Sequence, residues 1–517
     1  MENIIPKLKL RSLELMHQAE VRVRYAPSPT GALHIGGART ALFNYLFAKK
    51  NNGVFILRIE DTDLERSKKV FEKDIFDALK WLDVKWDEGP IPESDQYLGS
   101  FGPYRQSERG EIYEKYIKKI LDNDKAYHCF CSSEDLEAQK QYQMGRGESP
   151  KYAKTCAEIS KKEVERMKAE GKRSVIRLRA PLGKIKFDDL IRGDIEIDSE
   201  TIGDIVIAKD LKTPLYNMAV VIDDFEMKIT HVIRGEDHIP NTPKQMIIAS
   251  ALDIPHPIYT HLPLVLGPDK SKMSKRHGAV SVTEYKKQGY LPEAIINFMA
   301  FLGWSPGTNR ETYSMDELIK DFTLEKIQKS GAVFNIKKLD HINSSYIRGK
   351  DINELVDLSI PFLLDSGLMK EESGKYFSAE NGKEISILSI RKAVSLHRER
   401  MKILSEISEF ADFLFKDEIV YDKELLKWKD MTEDDLREAL DIIENILSGI
   451  KDSDWNEKGL EDVLMPVAEK MQNRGVLLWP LRAALTGKKA SAGPFEVAEA
   501  LGKERTLLRI KKAKEKI

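Results

Sequence analysis

The hydrophobic pattern near the start of the chain predicts a strand, a helix and a second strand in succession. A short β-type run covers residues 21–25, and a second run typical of a buried strand covers 54–59 after Gly53. Between them, apolar residues recur at helical spacing. They are Ala38, Leu42, Tyr45 and Leu46. This order predicts a βαβ unit with a parallel sheet, so the fold class is α/β.

Further along the chain, the pattern predicts a charged helix at residues 160–172 and several strands. The strands are expected at residues 174–179, 215–222, 229–233 and 258–266. A helix should begin near Asn241, whose side chain can cap it and which precedes a Thr-Pro pair suited to a first turn. From about Lys350 to the end, the apolar spacing is helical and shows no strand alternation. The pattern therefore predicts an α/β part followed by an all-helical part.

Composition limits the functional classes. A chain of 517 residues is long enough for several domains. It contains no apolar run of roughly 18 or more residues, which argues against a membrane span, and residues 1–20 lack the apolar core of a secretory signal. The net charge of −2 neither favours nor excludes a nucleic-acid partner, because basic residues can cluster on one face. Three cysteines favour a reducing cytoplasm over a disulfide scaffold.

Two loops carry candidate phosphate chemistry. The first loop joins the first strand to the helix and reads Pro-Ser-Pro-Thr-Gly-Ala-Leu-His-Ile-Gly-Gly at residues 27–37. Gly36 and Gly37 would let a nucleotide approach the helix start, whose dipole favours phosphate, and His34 adds a donor. Any turn between a strand and a helix can carry glycine, so an ordinary turn is the alternative.

The second loop concentrates positive charge and reads Leu-Gly-Pro-Asp-Lys-Ser-Lys-Met-Ser-Lys-Arg-His-Gly at residues 266–278. Its cations are Lys270, Lys272, Lys275 and Arg276. A solvated basic loop would explain such a charge run. The alternative is a mobile clamp, whose lysines follow a triphosphate as charge moves onto the departing pyrophosphate.

Together, the two loops resemble the paired signatures of class I aminoacyl-tRNA synthetases, His-Ile-Gly-His and Lys-Met-Ser-Lys-Ser. Here they read His-Ile-Gly-Gly at residues 34–37 and Lys-Met-Ser-Lys-Arg at 272–276, and both departures are similar to the bacterial-type glutamyl-tRNA synthetases. Further segments resemble that branch in the same order. They lie at residues 24–30, 37–44, 58–63, 104–109 and 232–238. The resemblance extends from about Val21 to near the C-terminus.

The resemblance implies a Rossmann-like catalytic domain that is interrupted by an acceptor-stem-binding insert and followed by an all-helical anticodon-binding region. The implied boundaries are 21–105 and 209–266 for the two catalytic halves, 106–208 for the insert, 267–349 for the lysine loop with a stem-contact region, and 350–517 for the anticodon-binding domain. Residues 1–20 form an extension outside the resemblance.

The resemblance also implies the reaction. ATP activates glutamate to glutamyl-adenylate, and the terminal ribose hydroxyl of a tRNA then attacks the activated carbonyl. Such chemistry depends on positioning and charge stabilisation. Magnesium is expected with ATP, bound largely by phosphates and water. The implied catalytic residues are His34, Gly36, Gly37, Lys272 and Lys275. The implied ATP contacts are His34, Gly36, Lys272, Met273, Ser274, Lys275 and Arg276.

Glutamate recognition requires a cation for the side-chain carboxylate and an anion for the α-amino group. The resemblance assigns Arg24 and Arg234 to the carboxylate and Glu60 to the amino group. The remaining pocket lining is Ser28, Tyr216 and Asn217. From the residues alone, a surface salt bridge at Arg24 and core packing of Tyr216 are the alternatives. Leu215 stands where the family commonly has threonine, which puts that part of the pocket wall in doubt.

All three cysteines of the chain fall within residues 129–156. Cys129, Cys131 and Cys156, with Tyr152 shortly before the last, resemble the zinc-binding pattern of some glutamyl-tRNA synthetases. Zinc requires four ligands, and thiolates suit it. Tyrosine is an uncommon fourth ligand, so buried free thiols are the alternative to a structural zinc site.

The stretch at residues 478–487 resembles a family segment near the anticodon. Trp479 is predicted to stack on an unpaired base and Arg482 to bond the edge of that base. A core tryptophan with a surface arginine is the alternative.

The expected partners are L-glutamate and tRNA(Glu), with no membrane contact, and the resemblance implies a monomer. The cytoplasm is the expected compartment. Charging of tRNA(Gln) as well stays open, as does a glutaminyl-tRNA synthetase. The latter typically begins its first loop with Pro-Glu-Pro-Asn, whereas this chain has Pro-Ser-Pro-Thr at residues 27–30.

Overall fold

The computed structural model describes residues 20–274, 276, 281–471 and 473–517. These residues form two compact units. The first contains the described residues up to Lys286 together with Pro292–Ile336, and the second contains Lys287–Leu291 and Lys337–Ile517. Lys275 and nearly all of the predicted extension lie outside the described residues. The domain boundaries given above stay predictions.

The first unit begins with the predicted βαβ arrangement. Strands β1 (Arg22–Tyr25) and β2 (Val54–Leu57) pair in parallel, and helix α1 (Ile35–Lys50) connects them. Of the predicted apolar face of α1, Ala38, Leu42 and Leu46 are fully buried and Tyr45 is half-buried. Burial of this face against the sheet holds the loop before α1 at the carboxyl ends of the strands, where ligands bind in such sheets.

The rest of the first unit alternates helices with short strands. Up to residue 208 these are α2 (Lys69–Trp81), β3 (Gly89–Pro90), β4 (Tyr97–Leu98), α3 (Gly110–Asp122), β5 (Ala126–Cys129), α4 (Ser133–Gly145), α5 (Lys161–Ala169), β6 (Val175–Leu178), β7 (Lys184–Asp189), β8 (Gly193–Asp198) and β9 (Val206–Ala208). They continue as α6 (Tyr216–Glu226), β10 (His231–Gly235), α7 (Thr242–Leu252), β11 (Ile258–Leu262), β12 (Val265–Leu266), α8 (Val282–Gln288), α9 (Pro292–Ala300), α10 (Met315–Asp321) and β13 (Ala332–Val333).

The hairpin of the predicted insert extends the catalytic sheet. Strands β10 and β11 pair in parallel, β11 continues to β7 where Tyr259 pairs with Asp189, and β7 forms an antiparallel hairpin with β8. On the other side, the backbone N–H of Thr230 just before β10 donates to the Arg22 carbonyl of β1 at 2.9 Å. Strands β5, β6 and β9 form a separate antiparallel sheet. Asp189 is therefore part of the same layer as the residues that end β10.

The strand predicted at residues 215–222 is wrong, because helix α6 covers this segment. Every residue from Met218 to Asp224 is buried, so the helix has no polar face that would reveal its period. A continuous apolar run of this kind cannot be told from a buried strand by periodicity. The strands predicted at 174–179, 229–233 and 258–266 are confirmed as β6, β10 and the pair β11 and β12. The charged helix predicted at 160–172 is confirmed as α5.

Helix α7 begins where the sequence predicts, but Asn241 does not cap it. Its side chain makes no capping hydrogen bond, and its amide nitrogen lies 3.4 Å from His238 Nδ1. Residues 236–241 already form a 3-10 helix, and Asn241 has helical φ and ψ of −86° and −27°. A capping side chain normally requires an extended backbone at that residue, which this entry into the helix does not provide.

The second unit is mainly helical. Its elements are α11 (Ile336–Gly349), α12 (Ile352–Asp365), β14 (Met369–Glu372), β15 (Lys375–Ser378), β16 (Glu384–Ile385), α13 (Ile387–His397), α14 (Glu406–Phe410), α15 (Asp412–Phe415), α16 (Glu433–Ser448), α17 (Glu457–Ala468), α18 (Gly475–Thr486), α19 (Pro494–Leu501) and α20 (Lys503–Lys514). Helices α16, α18 and α20 share a core that includes Leu440, Leu481 and Ile510. Among the described residues, no helix is long and apolar enough to cross a membrane.

The prediction of helix throughout this region is wrong at residues 369–385, where β14, β15 and β16 form an antiparallel sheet. The first two strands are joined by Ser373 and Gly374, whose φ values of 51° and 76° are those of a tight hairpin turn. These strands are short and largely exposed, so they bury no alternating face that the sequence pattern could reveal. The Ser-Gly pair is the one local signal of the hairpin.

Candidate active site

The glycine-rich loop ends at His34, which caps helix α1. His34 Nδ1 accepts a hydrogen bond from the Gly37 backbone N–H at 3.0 Å. A Cβ at Gly37 would lie 2.7 Å from Tyr25 Oη and 3.2 Å from Leu33 Cδ1, and one at Gly36 would lie 3.1 Å from the His34 ring. A side chain at position 37 would therefore collide with the buried Tyr25 hydroxyl unless Tyr25 moved.

The lysine loop brings Lys272 within electrostatic reach of His34. Lys272 lies next to β12 and its Nζ is 3.0 Å from Asp237 Oδ2. His34 remains solvent-accessible, but desolvation by the surrounding protein lowers its pKa below the usual value, the charge of Lys272 lowers it further, and that of Asp237 raises it. The two motifs, which lie far apart in sequence, therefore share one electrostatic environment.

The other described residues of the lysine loop that were predicted to bind ATP make different contacts from the Lys272–Asp237 pair. The Met273 backbone N–H donates to the Val265 carbonyl at 3.1 Å, and the Arg276 guanidinium donates to Asp269 at 3.1 Å and to Ser271 Oγ at 2.6 Å. Ser274 follows Met273 at the exposed tip of the loop. Arg276 is thus tied to its own loop, and Lys272 is the described lysine that reaches toward the histidine.

Arg24 is buried and is paired with a carboxylate far away in sequence. Its Nε and one terminal nitrogen lie 3.1 Å and 3.3 Å from the two carboxylate oxygens of Asp224. Arg58 donates to the same Asp224 at 2.7 Å and to Glu60 at 3.1 Å. Burial alone would raise the pKa of Asp224, but the two arginines lower it overall. The surface salt bridge considered for Arg24 is wrong, because this pair is buried.

At Glu60 the effect of burial exceeds that of the neighbouring arginines. Burial raises the pKa of Glu60 above the usual value, although Arg58 and Arg24 oppose the shift. Its backbone N–H donates to the Pro27 carbonyl at 2.9 Å, which joins Glu60 to the first loop. A buried carboxylate of this kind gains from an additional cation beside it.

Arg234 is a buried cation with a free donor. Its Nε donates to His261 Nε2 at 3.2 Å and one terminal nitrogen donates to Thr242 Oγ1 at 2.8 Å. Its other terminal nitrogen has no hydrogen-bond partner within the described part of the chain, and the residue is only 5 % exposed. Burial lowers the pKa of Arg234, and Arg24 adds to this effect. The arrangement favours an incoming anion.

Tyr216 and Asn217, at the start of α6, lie in the same region. Tyr216 Oη is 3.0 Å from His238 Nδ1, and Asn217 Oδ1 accepts from Gln245 Nε2 at 3.1 Å. Burial raises the pKa of Tyr216 to about 12, Glu60 adds to the rise, and Arg234 and Arg24 oppose it. Ser28 is exposed in the first loop. These electrostatic couplings place Tyr216 among the predicted glutamate-binding residues.

A second buried charge group surrounds Asp223, and the sequence analysis does not predict it as part of the site. Asp223 accepts from Arg109 Nε at 2.7 Å, Gln106 Nε2 at 2.8 Å and Tyr113 Oη at 3.0 Å. Asp223 precedes Asp224 on α6, whereas its three donors come from residues 106–113. The group therefore fastens α3 to the helix that carries Tyr216. The family-like segment at residues 104–109 contains Gln106 and Arg109, and the segment at 232–238 contains Asp237, so sequence similarity was the signal that could have indicated these residues.

Comparison with known proteins identifies the family. The model described as tRNA synthetases class I (E and Q), catalytic domain, matches residues 20–341, and an anticodon binding domain model matches 354–514. The chain belongs to the glutamate–tRNA ligase family of class I synthetases. A glutamate–tRNA ligase from Carboxydothermus hydrogenoformans is 43% identical over 93% of this chain and 97% of that protein. A relative from Caldicellulosiruptor saccharolyticus, named glutamate–tRNA ligase 1, is 43% identical over 95% and 98%.

Solved structures agree with this assignment. A crystal structure of a glutamate tRNA ligase from Elizabethkingia meningosepticum in complex with its amino acid has a TM-score of 0.84 and 34% identity, and covers 96% of this chain and 99% of that one. A glutamate–tRNA synthetase structure from Elizabethkingia anophelis has a TM-score of 0.83 and 34% identity, and covers 96% and 100%. The predicted fold class and family are confirmed. The roles of individual side chains stay predictions.

In this member of the glutamate–tRNA ligase family, the three cysteines converge. The Sγ atoms of Cys129, Cys131 and Cys156 lie within 4.8 Å of one another, with 3.6 Å between Cys131 and Cys156. Tyr152 Oη lies 3.3 Å from Cys129 Sγ and 3.5 Å from Cys131 Sγ. With zinc–sulfur bonds of about 2.3 Å, sulfur atoms around a tetrahedral zinc are roughly 3.8 Å apart. The spacing of this group fits that geometry.

The two predicted anticodon residues contact each other. Trp479 is half-buried, donates from Nε1 to the Leu425 carbonyl at 2.8 Å and lies 5.1 Å from the Trp428 ring. The Arg482 guanidinium carbon lies 4.3 Å from the Trp479 ring centroid, and Arg482 donates to the Lys489 carbonyl at 2.8 Å. One face of Trp479 is thus taken by Arg482, so stacking of a base there would require the arginine to move.

Proposed function

We propose that this chain joins L-glutamate to the 3′ end of tRNA(Glu) in two steps, through glutamyl-adenylate, with release of diphosphate and AMP. The observation that carries the proposal is Arg234, a buried guanidinium near Arg24 with one terminal nitrogen that has no partner among the described residues. A buried cation without a carboxylate partner is costly unless a substrate anion completes it. The family membership makes glutamate the natural anion.

Glutamate is then recognised by positively charged residues at its side-chain carboxylate and by a negatively charged residue at its α-amino group. Arg234 and Arg24 take the side-chain carboxylate, since guanidinium groups bond both of its oxygens. Glu60 takes the α-amino group, because an ammonium ion beside it would offset the burial that raises its pKa. Tyr216 and Asn217 line the pocket, and Ser28 closes it from the first loop. An uncharged side chain in this pocket would leave the two buried guanidinium groups without a substrate anion, which disfavours its binding.

The phosphates of ATP bind at the start of α1. The helix dipole and the backbone N–H groups ahead of Gly37, whose own N–H is capped by His34, attract phosphate, and Gly36 and Gly37 let it come close. His34 caps this helix start and Lys272 lies within electrostatic reach of it, and Lys275 follows in the same loop as a second cation. These groups lower the activation barrier by stabilising charge that moves onto the leaving diphosphate. Met273, Ser274 and Arg276 complete the nucleotide contacts from the loop backbone.

Magnesium accompanies ATP and is held largely by phosphate oxygens and water. A structural zinc ion is held by Cys129, Cys131, Cys156 and Tyr152, whose mutual distances fit tetrahedral ligation. It would fasten the loop after β5 to the segment before α5, within the predicted acceptor-stem-binding insert.

In the second unit, Trp479 holds Arg482 toward an anticodon base. The enzyme acts as a monomer in the cytoplasm.

The test is transfer of labelled glutamate by the purified chain onto separate tRNA(Glu) and tRNA(Gln) transcripts, with labelled glutamine as the matched amino acid of equal shape and no charge. ATP-dependent charging of tRNA(Glu) with glutamate alone supports the proposal. Charging of both tRNAs with glutamate would identify a non-discriminating enzyme. Preference for glutamine, or charging of neither tRNA, would contradict the proposal.

A further inference from the structure

A line of three buried side chains leads away from the predicted glutamate site. Asp189 is the last residue of β7, His261 lies in β11 and Arg234 lies in β10. Asp189 Oδ2 is 2.7 Å from His261 Nδ1, and His261 Nε2 is 3.2 Å from Arg234 Nε. Asp189 and His261 are 2 % and 0 % exposed. Neither Asp189 nor His261 lies in a segment that carries the family resemblance.

The hydrogen bonds of this line assign the state of the imidazole. An arginine Nε–H can only donate, so His261 Nε2 must be the acceptor. Nδ1 then carries the proton and donates it to Asp189. The Asp189 carboxylate also accepts backbone N–H groups of His261, Ile191 and Arg192 at 2.9, 3.0 and 2.8 Å. This carboxylate is thus held as an anion and holds the ring in one tautomer.

The surrounding side chains keep the ring from turning. Tyr259 stacks near it at 6.3 Å between ring centroids with an interplanar angle of 12°, and Phe187 meets it edge-on at 6.4 Å. Thr242 Oγ1 lies 3.1 Å from His261 Nε2 and accepts from Arg234. Burial lowers the pKa of His261 and Arg234 lowers it further, while Asp189 raises it. The ring therefore remains neutral and can accept from arginine.

This arrangement determines which donors Arg234 presents. Its Nε is occupied by His261, and one terminal nitrogen contacts Thr242. The other terminal nitrogen is left without a partner in the described residues. If His261 were absent, the guanidinium could rotate to satisfy Nε elsewhere and would lose its orientation.

We propose that His261, held by Asp189, is a positioning residue that orients Arg234 toward the substrate carboxylate. This inference rests on the proposed function, since it assigns Arg234 to glutamate. His261 and Asp189 would not touch the substrate. They would act on glutamate affinity and leave ATP binding and the chemical step largely unchanged, because neither contacts His34, Lys272 or the first turn of α1.

The test compares three variants by steady-state aminoacylation, with KM for glutamate, KM for ATP and kcat measured separately. His261→Phe keeps the ring packing and removes the acceptor, and should raise KM for glutamate about 10- to 100-fold, the effect expected from a lost hydrogen bond to a charged group. His261→Gln offers a side-chain oxygen near the position of Nε2 and should recover most of that loss. His256→Phe is the matched control, since His256 lies outside this line, and should leave KM for glutamate unchanged.

If His261→Phe raised KM for glutamate and KM for ATP and lowered kcat by similar factors, the defect would be a general structural one and the inference would be overturned. An unchanged KM for glutamate in His261→Phe would also overturn it. If that variant does not fold, Asp189→Asn decides, because it keeps the histidine but removes the charge that holds its tautomer; it should raise KM for glutamate in the same direction, and no rise would overturn the inference. If the wild-type chain does not charge glutamate at all, the proposed function fails, which is distinguishable from failure of the His261 role.

Discussion

Arg24→Gln separates substrate binding from stability in the buried charge group around Asp224. In the structure, Arg24 and Arg58 both contact Asp224, while Glu60 and Asp223 lie close to Arg58. The change removes one positive charge from a group of two arginines and three carboxylates. Asp224 keeps the 2.7 Å contact with Arg58 after the substitution.

Two costs follow. Loss of a charged partner for the substrate carboxylate should weaken binding by about 2–4 kcal/mol, which corresponds to a rise in KM for glutamate of about 30- to 1000-fold. Breaking a buried ion pair completely costs about 3–5 kcal/mol. Because Arg58 still contacts Asp224, the free energy of unfolding should fall by less, about 1–3 kcal/mol.

The assay is initial-rate aminoacylation over a range of glutamate concentrations, together with urea unfolding. Arg22→Gln is the matched control: Arg22 lies on the same strand, is also buried, and contacts both carboxylate oxygens of Glu88 at 2.9 Å. It should lose stability without a rise in KM for glutamate. Adding Asp224→Asn to Arg24→Gln should restore the net charge of the group and part of the stability, but not KM. An unchanged KM in Arg24→Gln, or a KM restored by the double substitution, would refute the assignment of Arg24 to the substrate.

Three further predictions concern the helix start, the metal and acid stability. Gly37→Ala should lower kcat about 10- to 100-fold, because its Cβ would lie 2.7 Å from Tyr25 Oη; Tyr25→Phe in the same chain should recover activity, and no recovery would point to another cause. Purified protein should contain one zinc per chain by elemental analysis, and Cys129→Ser should lose it; metal-free, fully active wild-type protein would exclude the zinc site. Burial lowers the pKa of His397 from 6.5 to about 4, so the unfolded chain binds the proton first and the free energy of unfolding should fall as pH drops from 6.5 toward 4. His397→Phe should make the urea midpoint less dependent on pH over that range, and an identical dependence would contradict this.

The strongest local patterns were sufficient for much of the fold and for the family. In helix α1, Ala38, Leu42 and Leu46 recur at helical spacing and are all buried, so the sequence pattern predicted this helix, and the loop before it has a distinctive order of residues. The cysteines lie close in sequence, so their convergence could be expected before any contact was known. Motif order along the chain likewise led to the glutamate–tRNA ligase family.

Local sequence patterns did not predict the contacts between distant segments. Helix α6 is buried at every residue from Met218 to Asp224, so its apolar run showed no helical period and was typical of a strand. The partner of Arg24, Asp224, lies on that misassigned helix, so a lone arginine in the sequence gave no indication of a buried ion pair. The same holds for His261 and Asp189, which meet only because β7 and β11 pair in one sheet. Local residue order determined the elements and the family, whereas the pairing of buried charges depended on the sheet and helix packing that bring remote residues together.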